Sequence, residues 1–143
     1  MPIRHPAVGK TGVHVMTMKT FFTVLAVLAL IHGIGFVLAP EQVAASYGMT
    51  SSPSSILMDR LFGAALLGLG LIYWFARDNS AEAVRGLLIA TAVGDGVGFI
   101  VVVLGTMAGT LNAMGWVATL IYLFGTAGAG YFLMWRSPQL SAR

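Results

Sequence analysis

The 143-residue chain contains no cysteine. That absence excludes disulfides, thiolate metal sites, iron–sulfur ligation and a cysteine nucleophile together. Charge is scarce as well: Asp, Glu, Lys and Arg make up 9% of the residues, against about 25% in a soluble protein. So little charge cannot cover a water-facing surface, and the chain must dissolve in lipid. Three histidines are present, and His5 and His14 fall in the N-terminal segment. A metal site built from protein side chains is therefore not expected, and no cofactor-ligand set or phosphate cradle is evident.

What remains is apolar: 57% of the residues are hydrophobic. Four stretches, 20–39, 56–76, 83–107 and 111–135, are long enough to cross a hydrocarbon core, which needs about 20 helical residues. Open sheet edges do not survive in lipid and four strands cannot close a barrel, so the spans are read as helices. Short connections make neighbours antiparallel. The expected fold class is all-α, a polytopic membrane protein with a four-transmembrane-helix up-down bundle. Residues 1–18 read as a flexible cytoplasmic tail, 19–136 as the transmembrane domain and 137–143 as a short cytoplasmic C-terminal tail. Met18-Lys19-Thr20 also has the look of a start, which leaves open whether residues 1–17 belong to the native protein. Span one reads as retained rather than cleaved, because its apolar core exceeds a signal-peptide core of about 7–15 residues. Pro40 also follows the candidate cleavage site at Ala39.

Seven of the eight basic residues (Arg4, Lys10, Lys19, Arg77, Arg85, Arg136 and Arg143) fall on one side of the four spans, and only Arg60 falls towards the other. The positive-inside rule then predicts cytoplasmic termini in an inner membrane. The net charge of +3 thus reflects topology, and nucleic acid is not an expected partner. Trp74 and Trp135 lie near one set of helix ends and Trp116 near the other, as interfacial aromatics do. Pro40 with Gly48 brackets a short surface helix after span one, and Ser51-Ser52-Pro53 reads as the cap of span two.

Eighteen glycines fall largely inside the spans, where small residues let helices approach closely. The candidate packing positions are Gly33 on span one (with Ala29), Ala64 and Gly68 on span two, and Gly94 and Gly98 on span three (with Ala90). The same small-residue stripes also suit an outward contact with other membrane subunits or a second copy.

Asp95 stands in the middle of span three, and a carboxylate at that depth costs about 2.5–3.5 kcal/mol on insertion scales. A partner is expected. At 1.5 Å per residue, His32 lies about 20 Å past Lys19, Asp95 about 15 Å past Arg85 and Arg60 about 25 Å before Arg77. These depths are bridgeable by a long arginine. Thr91, four residues before Asp95, is placed to hydrogen-bond it. Thr119, Tyr122 and Thr126 add a polar stripe on span four. The expected cluster is His32, Arg60, Asp95, Thr91, Tyr122 and Thr126. It reads either as a structural lock on helix register or as a ligand or proton site, with catalysis the weaker alternative because no nucleophile accompanies it. Gly94-Asp-Gly-Val-Gly98 follows no strand, so a nucleotide loop is rejected. A locally loosened helix is expected there instead.

The segment Arg60-Leu-Phe-Gly-Ala-Ala-Leu-Leu-Gly-Leu-Gly70, an Arg-x-x-Gly…Leu-x-Gly pattern opening the second of four spans, resembles small bacterial DoxX-like four-helix membrane proteins. The resemblance covers residues 19–135 in layout. It implies an accessory subunit of a membrane redox or other energy-converting assembly and transfers no catalytic residue. The functional expectation is a non-enzymatic accessory subunit partnered by the bilayer and by other membrane proteins or itself. The rival is a small proton-coupled transporter or a quinone- or lipophile-binding helper using Asp95, His32 and Arg60.

Overall fold

The computed structural model describes residues 16–135, and every described element is helical. Residues 1–15, most of the expected N-terminal tail, and residues 136–143, which include the expected C-terminal tail, lie outside the described range. The helices are α1 (Met18–Leu38), α2 (Pro40–Ser46), α3 (Pro53–Ala76), α4 (Arg85–Met107) and α5 (Met114–Trp135). Four of them are long and apolar enough to cross a membrane. The protein is a multi-pass membrane helix bundle.

Local chemistry sets the boundaries. Thr17 caps α1, its hydroxyl accepting from the Thr20 N–H. The helix stops before Pro40, which disfavours helical backbone at the preceding residue and itself supplies the first residue of α2. The chain then reverses through Gly48, whose φ of +80° suits only a residue without Cβ. Ser52 and Ser55 form a reciprocal capping box at the start of α3, with Pro53 in its first turn. α4 ends at Gly109, φ +74°, where Thr110 N–H returns to the Gly105 carbonyl.

The bundle is built from two intimate pairs, α1 on α3 and α4 on α5. In the first pair the backbones meet at Gly33 and Gly63. A Cβ on Gly63 would lie 2.9 Å from the Gly33 carbonyl oxygen, and one on Gly70 would lie 2.8 Å from Leu30 Cγ. The seam on α3 therefore runs through Gly63, Leu67 and Gly70. Ala64 and Gly68, the expected seam, sit one residue round the helix and are exposed; Gly68 has nothing within 4 Å of its Cβ position. In the second pair the Tyr122 ring lies on Gly98, one of the candidate packing positions, while Gly94 faces open space. Ala90 is likewise exposed. α4 is a continuous α-helix through Gly94–Gly98, so the expected loosening is absent. Its i→i−4 bonds stay closed because glycine costs only about 1 kcal/mol per helical position.

The pairs join at the end bearing Met18. Phe21, Phe22, Leu88 and Phe132 are fully buried there, and Tyr73 and Ala129 complete a core drawn from all four long helices. Phe21 stands 5.4 Å from the centroids of both Phe22 and Phe132. Its ring also occupies the place a Cβ of Gly128 would take, which brings α5 onto α1. At the rim of this end Lys19 pairs with Asp78 at 2.7 Å, and the Arg77 guanidinium lies 3.4 Å from the Trp74 ring centroid. At the opposite end the segment after α2 is clasped to the α4–α5 turn. Asn112 donates from its backbone to the Tyr47 carbonyl and from its amide to the Ser46 carbonyl, both at 2.9 Å, while its Oδ1 accepts from Met114 N–H.

Candidate functional site

Joined at both ends, the two pairs leave a cavity of about 240 Å³ between them. Its walls are apolar: Leu25, Leu28 and Ala29 from α1, Leu66 and Leu69 from α3, and Val102, Ala118 and Ile121 from α4 and α5. Tyr47, Met49 and Leu111 roof it at the clasped end. Phe62 marks the rim, lining the cavity while remaining 44% exposed and packed edge-on against Phe36. An apolar cavity of about 150 Å³ is enough to hold benzene, so this one accommodates a ring and a short chain.

Five polar side chains reach this space: His32, Tyr47, Tyr73, Asp95 and Tyr122. Asp95 projects from α4 across to α5, where its Oδ2 occupies the position a Cβ on Gly125 would take. The buried glycine thus makes room for the carboxylate. Among the described residues no hydrogen bond or ion pair of Asp95 is found, although Tyr73 and Tyr122 both lie within its electrostatic reach.

His32 lies 2.8 Å, through Nδ1, from the Leu28 carbonyl one turn back. A carbonyl oxygen only accepts, so Nδ1 carries the hydrogen and Nε2 is the ring nitrogen left for another partner. The same logic orients Tyr73. Thr91 Oγ1 donates its one hydrogen to the Leu87 carbonyl at 2.9 Å. The 3.0 Å contact between Tyr73 Oη and Thr91 Oγ1 must therefore carry the tyrosine hydrogen. Tyr73 Oη keeps its lone pairs free for another donor. Burial pushes the Tyr47 phenol above its ordinary value, so Tyr47 presents a neutral hydroxyl.

The structure brings together three of the six residues expected to cluster: His32, Asp95 and Tyr122. Arg60 is not among them. It is exposed, on the same outward face as Ala64 and Gly68 at i, i+4 and i+8. The one-residue shift of the α3 seam carries Arg60 away from the interior. Thr91 is buried but engaged by Leu87 and Tyr73 rather than by Asp95. Thr119 is buried and bonds the Gly115 carbonyl on its own helix. Thr126 has a buried hydroxyl without a partner among the described residues, and it lies outside the cavity lining.

Tyr73, Tyr47 and Gly125 were not singled out from the sequence. A signal existed for the tyrosines: the chain has four, and three of them face this cavity. Among the described residues there is no cluster of three His, Asp or Glu side chains able to hold a metal ion.

No family model, curated protein or solved structure matches this chain.

Proposed function

We propose that this membrane protein binds a small lipophilic molecule in the cavity between its helix pairs, as a carrier or an accessory binding subunit without a chemical step of its own. The observation that carries the reading is Asp95: a carboxylate placed against an apolar, ligand-sized space with no protein partner among the described residues. An acid confined there purely for architecture would be expected to meet a base or a ring of donors, since unpaired charge is costly in apolar surroundings. A ligand supplies what the bundle does not. Apolar walls give affinity through burial, and the few polar groups fix orientation, as in most small-molecule sites.

The distribution of basic residues supports cytoplasmic termini in an inner membrane. The roof formed by Tyr47, Met49 and Leu111 then faces outward. Membership of a larger membrane assembly, as the DoxX-like pattern at Arg60–Gly70 implies, is a second reading. It draws support from the outward face of Arg60, Ala64 and Gly68, which no described element covers. Proton-coupled movement of the ligand is a further form of the first reading, with Asp95 as the titrating group.

Native mass spectrometry of the full chain, extracted in non-ionic detergent, tests the proposal. The expected result is a retained small organic molecule that is lost from Ala118→Phe and Ala29→Leu, two cavity-filling variants. Equal spectra for all three proteins, free of any bound molecule, would remove the reading.

A further inference from the structure

The inventory of hydrogen-bonding groups in the cavity is lopsided, and the imbalance identifies a ligand class. Asp95 contributes two carboxylate oxygens, which accept when ionised. His32 gives its Nδ1 hydrogen to the Leu28 carbonyl, which leaves Nε2 as its remaining polar atom. Tyr73 gives its hydrogen to Thr91 and keeps only acceptor capacity. Tyr73 is thus a committed acceptor and Asp95 accepts when ionised, while Tyr47 and Tyr122 retain a hydroxyl free to turn either way. Asp95 is the one acidic side chain among the residues lining the cavity, and no Lys or Arg is among them.

A ligand that only accepts, such as a molecule with ketone oxygens, would find its oxygens opposed by the ionised Asp95 and by Tyr73. A ligand that donates and carries positive charge satisfies both. The aromatic faces favour the same sign. Tyr47, Tyr122, Phe36 and Phe62 surround the space, and the negative π face of an aromatic ring attracts a cation, most strongly where water is excluded. The walls meanwhile require an apolar body. Resting on the lipophile-binding reading above, we infer that the cavity is a site for a lipophilic primary amine bound as its ammonium. Its N–H groups are directed to Asp95 and its neighbouring acceptors, and its hydrocarbon lies along the α1 and α3 leucines. Gly125 is a positioning residue in this arrangement, because only a residue without Cβ leaves Asp95 its place.

The test compares phenylbutylamine with phenylbutanol, equal in length and differing in charge, by isothermal titration on the full chain in non-ionic detergent. A charge-assisted hydrogen bond is worth about 1.5–3 kcal/mol, which corresponds to a preference of about 10- to 150-fold. The amine is expected to bind native protein that much more tightly than the alcohol. Asp95→Asn should abolish the preference, and Asp95→Glu should retain part of it. Ala118→Leu, which fills the cavity without touching the charge, should weaken both ligands together. Equal binding of amine and alcohol to the native protein overturns the ammonium assignment and leaves the lipophile reading standing. A preference that survives Asp95→Asn also overturns the assignment. Failure of both ligands to bind, with no difference between native protein and Ala118→Leu, removes both inferences.

Discussion

Replacing Gly63 with alanine tests how the first helix pair is held. A Cβ there would lie 2.8 Å from Phe36 Cβ, 2.9 Å from the Gly33 carbonyl oxygen and 2.9 Å from Val37 N. Two of these three obstacles are backbone atoms of α1, so no side-chain rotation relieves them. Ordinary contact begins near 3.4 Å, and the helices must part by roughly half an ångström. A gap of about 0.5–1 Å forfeits a quarter to a half of each dispersion contact along the seam. Dispersion is what joins these helices, because lipid is as apolar as leucine. Overpacking of this kind costs about 1–3 kcal/mol, and that loss is expected for Gly63→Ala in SDS-titrated unfolding from mixed micelles. Gly68→Ala is the matched control. Its Cβ meets nothing within 4 Å, so it should be neutral or gain up to about 1 kcal/mol from helix propensity. Equal stability of the two variants, or a greater loss at Gly68, would refute the assigned seam.

Tyr73→Phe should cost only about 0.5–1 kcal/mol, since Thr91 keeps its bond to the Leu87 carbonyl; a loss above about 2 kcal/mol in the same assay would show that the bond does more. Arg60→Gln and Asp95→Asn should act additively, with a coupling within about 0.5 kcal/mol, because Arg60 points outward; a double-mutant cycle reads this directly. The hydrogen bond from Lys19 holds the exposed Asp78 carboxylate below its ordinary value. Its contribution to stability is therefore present above the unfolded value of about 3.9 and lost as pH falls through the lower folded value. The unfolding midpoint of native protein should fall relative to Asp78→Asn between pH 5 and pH 2, by a small amount because the pair is exposed.

The spans were legible in the sequence because crossing a membrane imposes length and apolarity on contiguous residues, and α2 and its flanking caps because proline, serine and glycine act locally. The facing of each helix was not. In a helix apolar all round, no polar side marks which surface turns inward, and on α3 two overlapping sets of small residues compete. Ala64-x-x-x-Gly68 has the familiar spacing, yet Gly63 and Gly70 make the contact. That single-residue offset decides Arg60 too, moving it from an expected partner of Asp95 to the outer surface. Asp95 and His32 were recognisable by cost alone, since a polar group at depth needs a reason. Thr91 misled because a threonine in a helix readily bonds its own i−4 carbonyl, and here that bond also fixes the direction of Tyr73. The role of Gly125 appears only once α4 and α5 are laid together.

The proposed site is a ligand-sized space lined by Asp95, whose carboxylate would favour cations there. Because the chain has no native thiol, single cysteines report on that space without background. Ala118→Cys lines the cavity, whereas Leu120→Cys, at a position 65% exposed, faces outward. Labelling rates with a methanethiosulfonate carrying an ammonium group should exceed those with its neutral ethyl counterpart at position 118 but not at 120, and Asp95→Asn should erase the difference. Identical preferences at both positions, unchanged by Asp95→Asn, would contradict the account.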